Sequence, residues 1–147
     1  MTAMIVRFSR RYTFSASHRL HVDTLTADQN RGAFGKCNNP HGHGHNYVLQ
    51  VTVSGPVDSA TGMVLNMATL EAVIRAVVLD RFDHQNLNHD PLFAAQTSTT
   101  ENLCREIYSL LATALAPVSL RSVRIEETEN NFFEYSGTSL ASASHAA

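Results

Sequence analysis

Two alternating segments that run into histidine constrain this chain most. From Ile5 to Ser17 the residues alternate as in a half-buried strand. Val6, Phe8, Arg10, Tyr12, Phe14, Ala16 and His18 fall on one side, and Ser9, Arg11, Thr13 and Ser15 on the other. A second strand, Tyr47 to Val53, is stopped by Gly55-Pro56 and preceded by His41-Gly42-His43-Gly44-His45. Two half-apolar strands need a cover, and the next segments supply it. Asn66 reads as the N-cap of a helix to Leu79, with Met67, Leu70, Ile74, Val77 and Val78 as its stripe. Ser98-Thr99-Thr100-Glu101 has capping-box spacing and opens a second helix, with Leu103, Ile107, Leu110, Leu111 and Ala114 as its stripe and Pro117 as its stop. Strands from Leu120 to Glu127 and Phe132 to Tyr135 follow. The order ββααββ predicts an α+β fold, a four-stranded antiparallel sheet with two helices on one face. The polar runs Val22 to Gly35 and Arg81 to Thr100 read as loops, and long loops in compact domains are often functional.

A chain of 147 residues fits one domain, expected over 1–135, with a small, polar and flexible tail over 136–147. A formal net charge of −2 gives no footprint for nucleic acid or anionic lipid, so an anionic ligand needs a local cluster of donors. No stretch approaches the roughly 20 apolar residues of a membrane span. Cys37 and Cys104 suggest no disulfide framework, and no signal-peptide core opens the chain, so a cytoplasmic protein is expected.

Three histidines within five residues point to a metal. Histidines at i and i+2 of a strand share a face, with Cα atoms about 6.5–7 Å apart, so both rings can reach one ion. His41 and His45 would lie about 13 Å apart on an extended strand, too far for one tetrahedral ion. A neighbouring pair plus a remote histidine is easier, and His18 ends the first strand on its apolar side. His18, His43 and His45 are thus the expected ligands. Three nitrogens leave the fourth position of Zn2+ open, as in catalytic sites.

Other residues could work beside such an ion. Cys37 adjoins Lys36, whose ammonium is expected to lower the thiol pKa; it reads as a base or nucleophile, or else as a fourth ligand closing a structural site. Cys104, on the second helix stripe, reads as an inert core residue. Asp83-His84 could be a carboxylate-oriented proton donor if the fold carries it to Cys37. Of Glu126 and Glu127, alternation sends one into the apolar face, where a carboxylate should meet a ligand's donors.

These motifs resemble the 6-pyruvoyl-tetrahydropterin synthase family. Phe14–Leu20, Phe34–Pro40, Gly42–Tyr47, Thr61–Val64, Asp83–Leu87, Ser98–Asn102 and Glu127–Asn131 follow the family's order along nearly the whole chain. The resemblance implies the tunnelling fold, with trimers closing a β-barrel and pairing into homohexamers whose active sites lie between subunits. It implies His18, His43 and His45 as zinc ligands, Cys37 as base, and Asp83 with His84 as a relay from another subunit. Glu127 is then expected to grip the guanidine-like edge of the pterin, with Thr99 and Thr100 nearby, while Lys36 and Arg19 are candidates for its triphosphate. The implied activity is a carbon–oxygen lyase of tetrahydrobiopterin synthesis, acting on 7,8-dihydroneopterin triphosphate. The sister branch, 6-carboxy-tetrahydropterin synthase of queuosine synthesis, typically has a shorter gap between cysteine and His-x-His; here Asn38 to Gly42 intervene, as in the pyruvoyl branch. A non-catalytic zinc- or pterin-binding module is the reading from another class. Position 41 is commonly asparagine in the animal enzymes and is His41 here.

Overall fold

The computed structural model describes residues 4–137. The expected flexible tail lies, beyond Ser136 and Gly137, outside the described residues. Strand β1 (Ile5–His18) pairs antiparallel with β2 (His43–Pro56) along its whole length, from Ile5 opposite Pro56 to His18 opposite His43. β4 (Ser119–Glu126) lies against the other edge of β2, and β5 (Phe132–Tyr135) against β4. These four are the antiparallel strands expected from alternation. β2 begins four residues earlier than Tyr47 and so takes in His43 and His45.

Two features correct the expected order. The sheet has a fifth strand, β3 (Gln85–Asn86), parallel to β1 at Ala16 and Ser17, giving the order β3-β1-β2-β4-β5 and a mixed sheet. Two residues have no periodicity to read, so only the tertiary pairing defines them. The supposed loop from Val22 to Gly35 holds a third helix, α1 (Ala27–Phe34). Thr26 caps it: its hydroxyl accepts from Gln29 N at 3.1 Å, and the Gln29 side chain accepts from Thr26 N at 2.9 Å. That reciprocal pair is a capping box, legible as Thr26-x-x-Gln29 and overlooked because no apolar stripe follows it.

Helix α2 (Met67–Ile74) starts at Asn66, whose side chain accepts from Thr69 N, as expected. It continues through a π-helical stretch, Arg75–Leu79, into a last turn, α3 (Asp80–Phe82). Leu70, Ile74, Val78 and Phe82 are all buried at a strict four-residue spacing. In an unbroken α-helix that spacing drifts by about 40° per step. The wider π turn offsets the drift and keeps all four on the core.

Helix α4 (Thr100–Ala114) is capped by Thr99, which accepts from Asn102 N, rather than by Ser98 with Glu101. Ala114 is exposed, and Leu115 closes that end of the core. Helices α2 to α4 and the inward side chains Phe14, Tyr47, Leu49, Val51, Val123 and Ile125 form one core. Cys104 is inert within it, its thiol donating to Val123 O at 3.2 Å. Among the described residues no helix is long and apolar enough to cross a membrane.

The segment from α3 to α4 is held by an ion pair. Arg81 donates from Nε and Nη2 to the two Asp90 oxygens, both at 2.8 Å, and Asp90 also accepts from Leu92 N. The Arg81 hydrogen bonds hold the Asp90 carboxyl below its usual pKa. A lowered folded pKa means stability that is complete above the unfolded value near 3.9 and lost as pH falls through the folded one. With Arg81 about a third exposed, Asp90→Ala is expected to cost about 1–2 kcal/mol in urea unfolding at pH 7. That difference should shrink at pH 3; equal costs at both would remove the charge argument.

Candidate active site

Register builds the site. His18 and His43 are directly opposed across β1 and β2, and His45 is two residues on, on the same face. Their nitrogens converge: His18 Nε2 lies 3.2 Å from His43 Nε2, which lies 3.0 Å from His45 Nε2. The rings are steeply inclined, at 71° for His18–His43, 88° for His18–His45 and 90° for His43–His45. Among the described residues these three form the candidate metal cluster, and Cys37 does not belong to it.

The donor set fits a cation. Metal–nitrogen bonds of about 2.0–2.1 Å put tetrahedral ligands roughly 3.3 Å apart, close to the spacing here. His18 Nδ1 lies 2.7 Å from Ser98 O, so it carries the proton and leaves the Nε2 lone pair facing inward. Burial above all lowers the pKa of His18 and of His45, with His43 adding to it, so both rings are neutral, the ligating form, at pH 7. A buried cation would use all three lone pairs at once.

His41 is left out for a reason beyond distance. Gly42 turns the chain at φ +72° between His41 and the start of β2. A Cβ there would sit 2.9 Å from His18 O, so the position requires glycine. His41 lies before the turn, exposed, off the strand's alternation.

Around the tripod stand Glu127 and Cys37. Glu126 points to the far face of the sheet, where Arg124 and Arg11 approach it. Glu127 is the carboxylate on the core side. It accepts from Thr100 Oγ1 at 2.6 Å and Asn131 Nδ2 at 2.9 Å, and its Oε1 is 3.6 Å from His45 Nε2. Burial alone would raise its pKa; the two donors and the nearby histidines outweigh that, so the carboxyl stays ionised. Cys37 sits in a 3-10 turn, Gly35–Asn38, tied to the end of β1 by Leu20 N to Cys37 O at 2.9 Å and Asn38 Nδ2 to Leu20 O at 2.7 Å. Its thiol pKa is raised, first by burial and then by Glu127, which corrects the expectation that Lys36 lowers it. Lys36 itself is exposed.

The remaining candidates divide. Thr100 reaches Glu127, whereas the Thr99 hydroxyl is engaged as the α4 cap. Arg19 donates to Asn38 O at 3.2 Å and lines a cavity of about 540 Å³ with His18, His21, His41 and Gln96. Asp83 accepts from Ser15 N at 2.9 Å, and its Oδ1 lies 2.9 Å from His84 Nδ1. His84 has φ +61°, an uncommon state for a residue with a Cβ, and its ring is largely exposed. Among the described residues no hydrogen bond or ion pair joins this dyad to Cys37 or Glu127. His84, without Asp83, shares with His45 and Asn46 the lining of a second cavity, of about 530 Å³. Sequence reasoning missed Ser98, Asn38, Asn131 and Tyr47 as parts of the site. Only Tyr47 carried a signal, standing two residues beyond His45 on the same face.

Removing a tripod ligand should release metal. His18→Ala and His43→Ala are expected to bind a divalent ion at least about tenfold more weakly, by elemental analysis after dialysis against a chelator series. His41→Asn should retain the wild-type content; a metal-free His41 variant would undo the ligand assignment.

The 6-pyruvoyl tetrahydropterin synthase family model matches residues 7–138. A 6-pyruvoyl tetrahydrobiopterin synthase of Drosophila melanogaster is 49% identical over 131 residues, 88% of this chain and 78% of that protein. The Homo sapiens protein of that name is 48% identical over 130 residues, 88% of this chain and 90% of its own. The structure of Caenorhabditis elegans 6-pyruvoyl tetrahydropterin synthase superposes with a TM-score of 0.88 at 44% identity, covering 93% of this chain and 99% of that one. With its fold, its tripod and these likenesses together, the chain belongs to the 6-pyruvoyl tetrahydropterin synthase family of enzymes.

Proposed function

We propose that this protein is a zinc-dependent lyase converting 7,8-dihydroneopterin triphosphate to 6-pyruvoyl-tetrahydropterin with elimination of triphosphate. The observation that carries the reading is an open three-histidine tripod with a half-buried, ionised carboxylate, Glu127, alongside. Two flanking features support it. The gap of five residues between Cys37 and His43 is that of the pyruvoyl branch, and the relatives at 48–49% identity bear the pyruvoyl name.

Each residue's part follows from its surroundings. Glu127 accepts hydrogen bonds from the guanidine-like edge of the pterin, which fixes the ring and aims the side chain at the tripod. Bound Zn2+, suited to three imidazoles, supplies Lewis-acid polarisation of the side-chain oxygens and a positive field at the neighbouring thiol. Cys37, once its thiol loses a proton, takes the carbon-bound proton of the substrate side chain. Its raised pKa in the free chain has two causes, burial and the Glu127 charge, and ligand donors on Glu127 relieve the second. Asp83 orients His84 for returning protons during tautomerisation, from another subunit of a homohexamer. Arg19, beside the cavity at His18, is a better-placed triphosphate partner than exposed Lys36. Thr100 serves the site through Glu127, and Thr99 through the α4 cap. A cytoplasmic location accords with a small-molecule enzyme of this kind.

The alternatives are the 6-carboxy branch and a binding module without catalysis. Mass analysis of the product from dihydroneopterin triphosphate separates them: a pyruvoyl product is expected, and released acetaldehyde would assign the carboxy branch. Cys37→Ala is expected to keep its metal and lose turnover by about 10²–10⁴-fold. A metal-free, unfolded Cys37→Ala protein would instead mean a closed structural site.

A further inference from the structure

Two cavities open beside the tripod, one lined by His18 and the other by His45. Only the first holds a permanent cation, Arg19; the lining of the second has no arginine or lysine. Glu127 stands at the His45 corner, 3.6 Å from that ring nitrogen, so a ring held there leaves the His18 corner for its side chain. The cavity at His18, about 540 Å³, is of small-ligand size. One buried residue, Asn38, sets two of its donors. Asn38 O accepts from Arg19 Nε at 3.2 Å, while Asn38 Nδ2 donates to Leu20 O at 2.7 Å and lies 3.0 Å from His21 Nδ1. An amide nitrogen only donates, so His21 Nδ1 accepts and the ring proton sits on Nε2. Among the described residues that Nε2–H makes no hydrogen bond: Asp23 Oδ1, on a fully exposed side chain, is 3.6 Å away. The Arg19 Nη groups likewise have no hydrogen-bond or ion-pair partner among the described residues. A chain of net charge −2 needs such a local set to hold an anion.

We propose that this cavity is an oligophosphate subsite: the Arg19 guanidinium and the His21 Nε2–H bind phosphate oxygens of a ligand whose ring sits at Glu127 and whose side chain crosses the tripod. This rests on the reading of the substrate as a pterin triphosphate, and it adds His21 and Asn38 to the residues that serve it. Arg19 supplies charge and a forked donor, and His21 a single directed one. Asn38 acts through both as a positioning residue, and it ties them to the turn that carries Cys37. Asp23 is the one carboxylate in the lining and opposes the anion.

Fluorescence titration of the metal-loaded protein with neopterin and with neopterin triphosphate, aromatic analogues that lack the reactive dihydro ring, isolates the phosphate contribution. Wild type is expected to bind the triphosphate at least about tenfold more tightly than neopterin. His21→Phe and Arg19→Gln should each weaken the triphosphate about tenfold, as for a lost hydrogen bond to a charged group, and leave neopterin affinity within about twofold. Asp23→Asn, at a fully exposed position, probes the site without disturbing the fold and should tighten the triphosphate about threefold at low ionic strength. Equal losses for the two ligands in the His21 and Arg19 variants would overturn the proposal, as would a triphosphate affinity unchanged in both His21→Phe and Asp23→Asn. A wild type that prefers the triphosphate yet forms no pyruvoyl product from the dihydro substrate ends the lyase reading and leaves the subsite standing. A wild type that turns the substrate over but binds the two analogues equally overturns the subsite alone.

Discussion

The antiparallel register of β1 on β2 is the constraint on which the rest of this structure depends. It sets His18 opposite His43 and leaves His45 one pleat further along the same face. Because side chains alternate, a slip of one residue would carry His18 to the opposite face from the pair, and a slip of two that set it opposite His41 would move it a pleat away from His43. The register is held by more than backbone bonds. Phe14, Tyr47, Leu49 and Val51 are committed to the core by the same alternation that commits the histidines. The apolar half of each strand thus pays for the precise placement of its polar end.

Withdrawing His18 fully, and His43, His45 and Glu127 in part, from water is costly, and the surroundings offset that cost with specific partners. Ser98 O orients His18, and the Ser98 hydroxyl contacts Asn88 Oδ1, which also accepts from Arg19 N. Thr100 and Asn131 keep Glu127 ionised. Asn38 ties the Cys37 turn to the β1 end, and buried Asn30 gathers Val22 N and O, Leu25 O and Thr26 O around the start of α1. Most of these contacts come from the segments read as loops. They are ordered because each buried polar group there finds its partner, in the absence of any apolar stripe.

The Asp83–His84 dyad stands apart from this economy. Its backbone is pinned to Ser15 on the outer edge of β1, with His84 in a left-handed conformation and its ring turned outward. A residue with a Cβ pays for that conformation, and nothing in the chain's own core collects the benefit.

The sequence by itself determined the four antiparallel strands, the start of α2 and, to within one residue, that of α4, and the identity of the three converging histidines. Those depend on period-two and helical patterning, on caps and on one i, i+2 pair, all of which are local. It also contained α1, in Thr26-x-x-Gln29, though without a stripe to announce it. Tertiary structure alone decided the rest: the two-residue β3, the Thr100 and Asn131 donors that hold Glu127, the Cys37 thiol held up by burial, the Ser98 carbonyl behind His18 and the orphaned Tyr47 hydroxyl. Each of these is set by which distant residue lies alongside, at separations of tens of positions, and no local period encodes that.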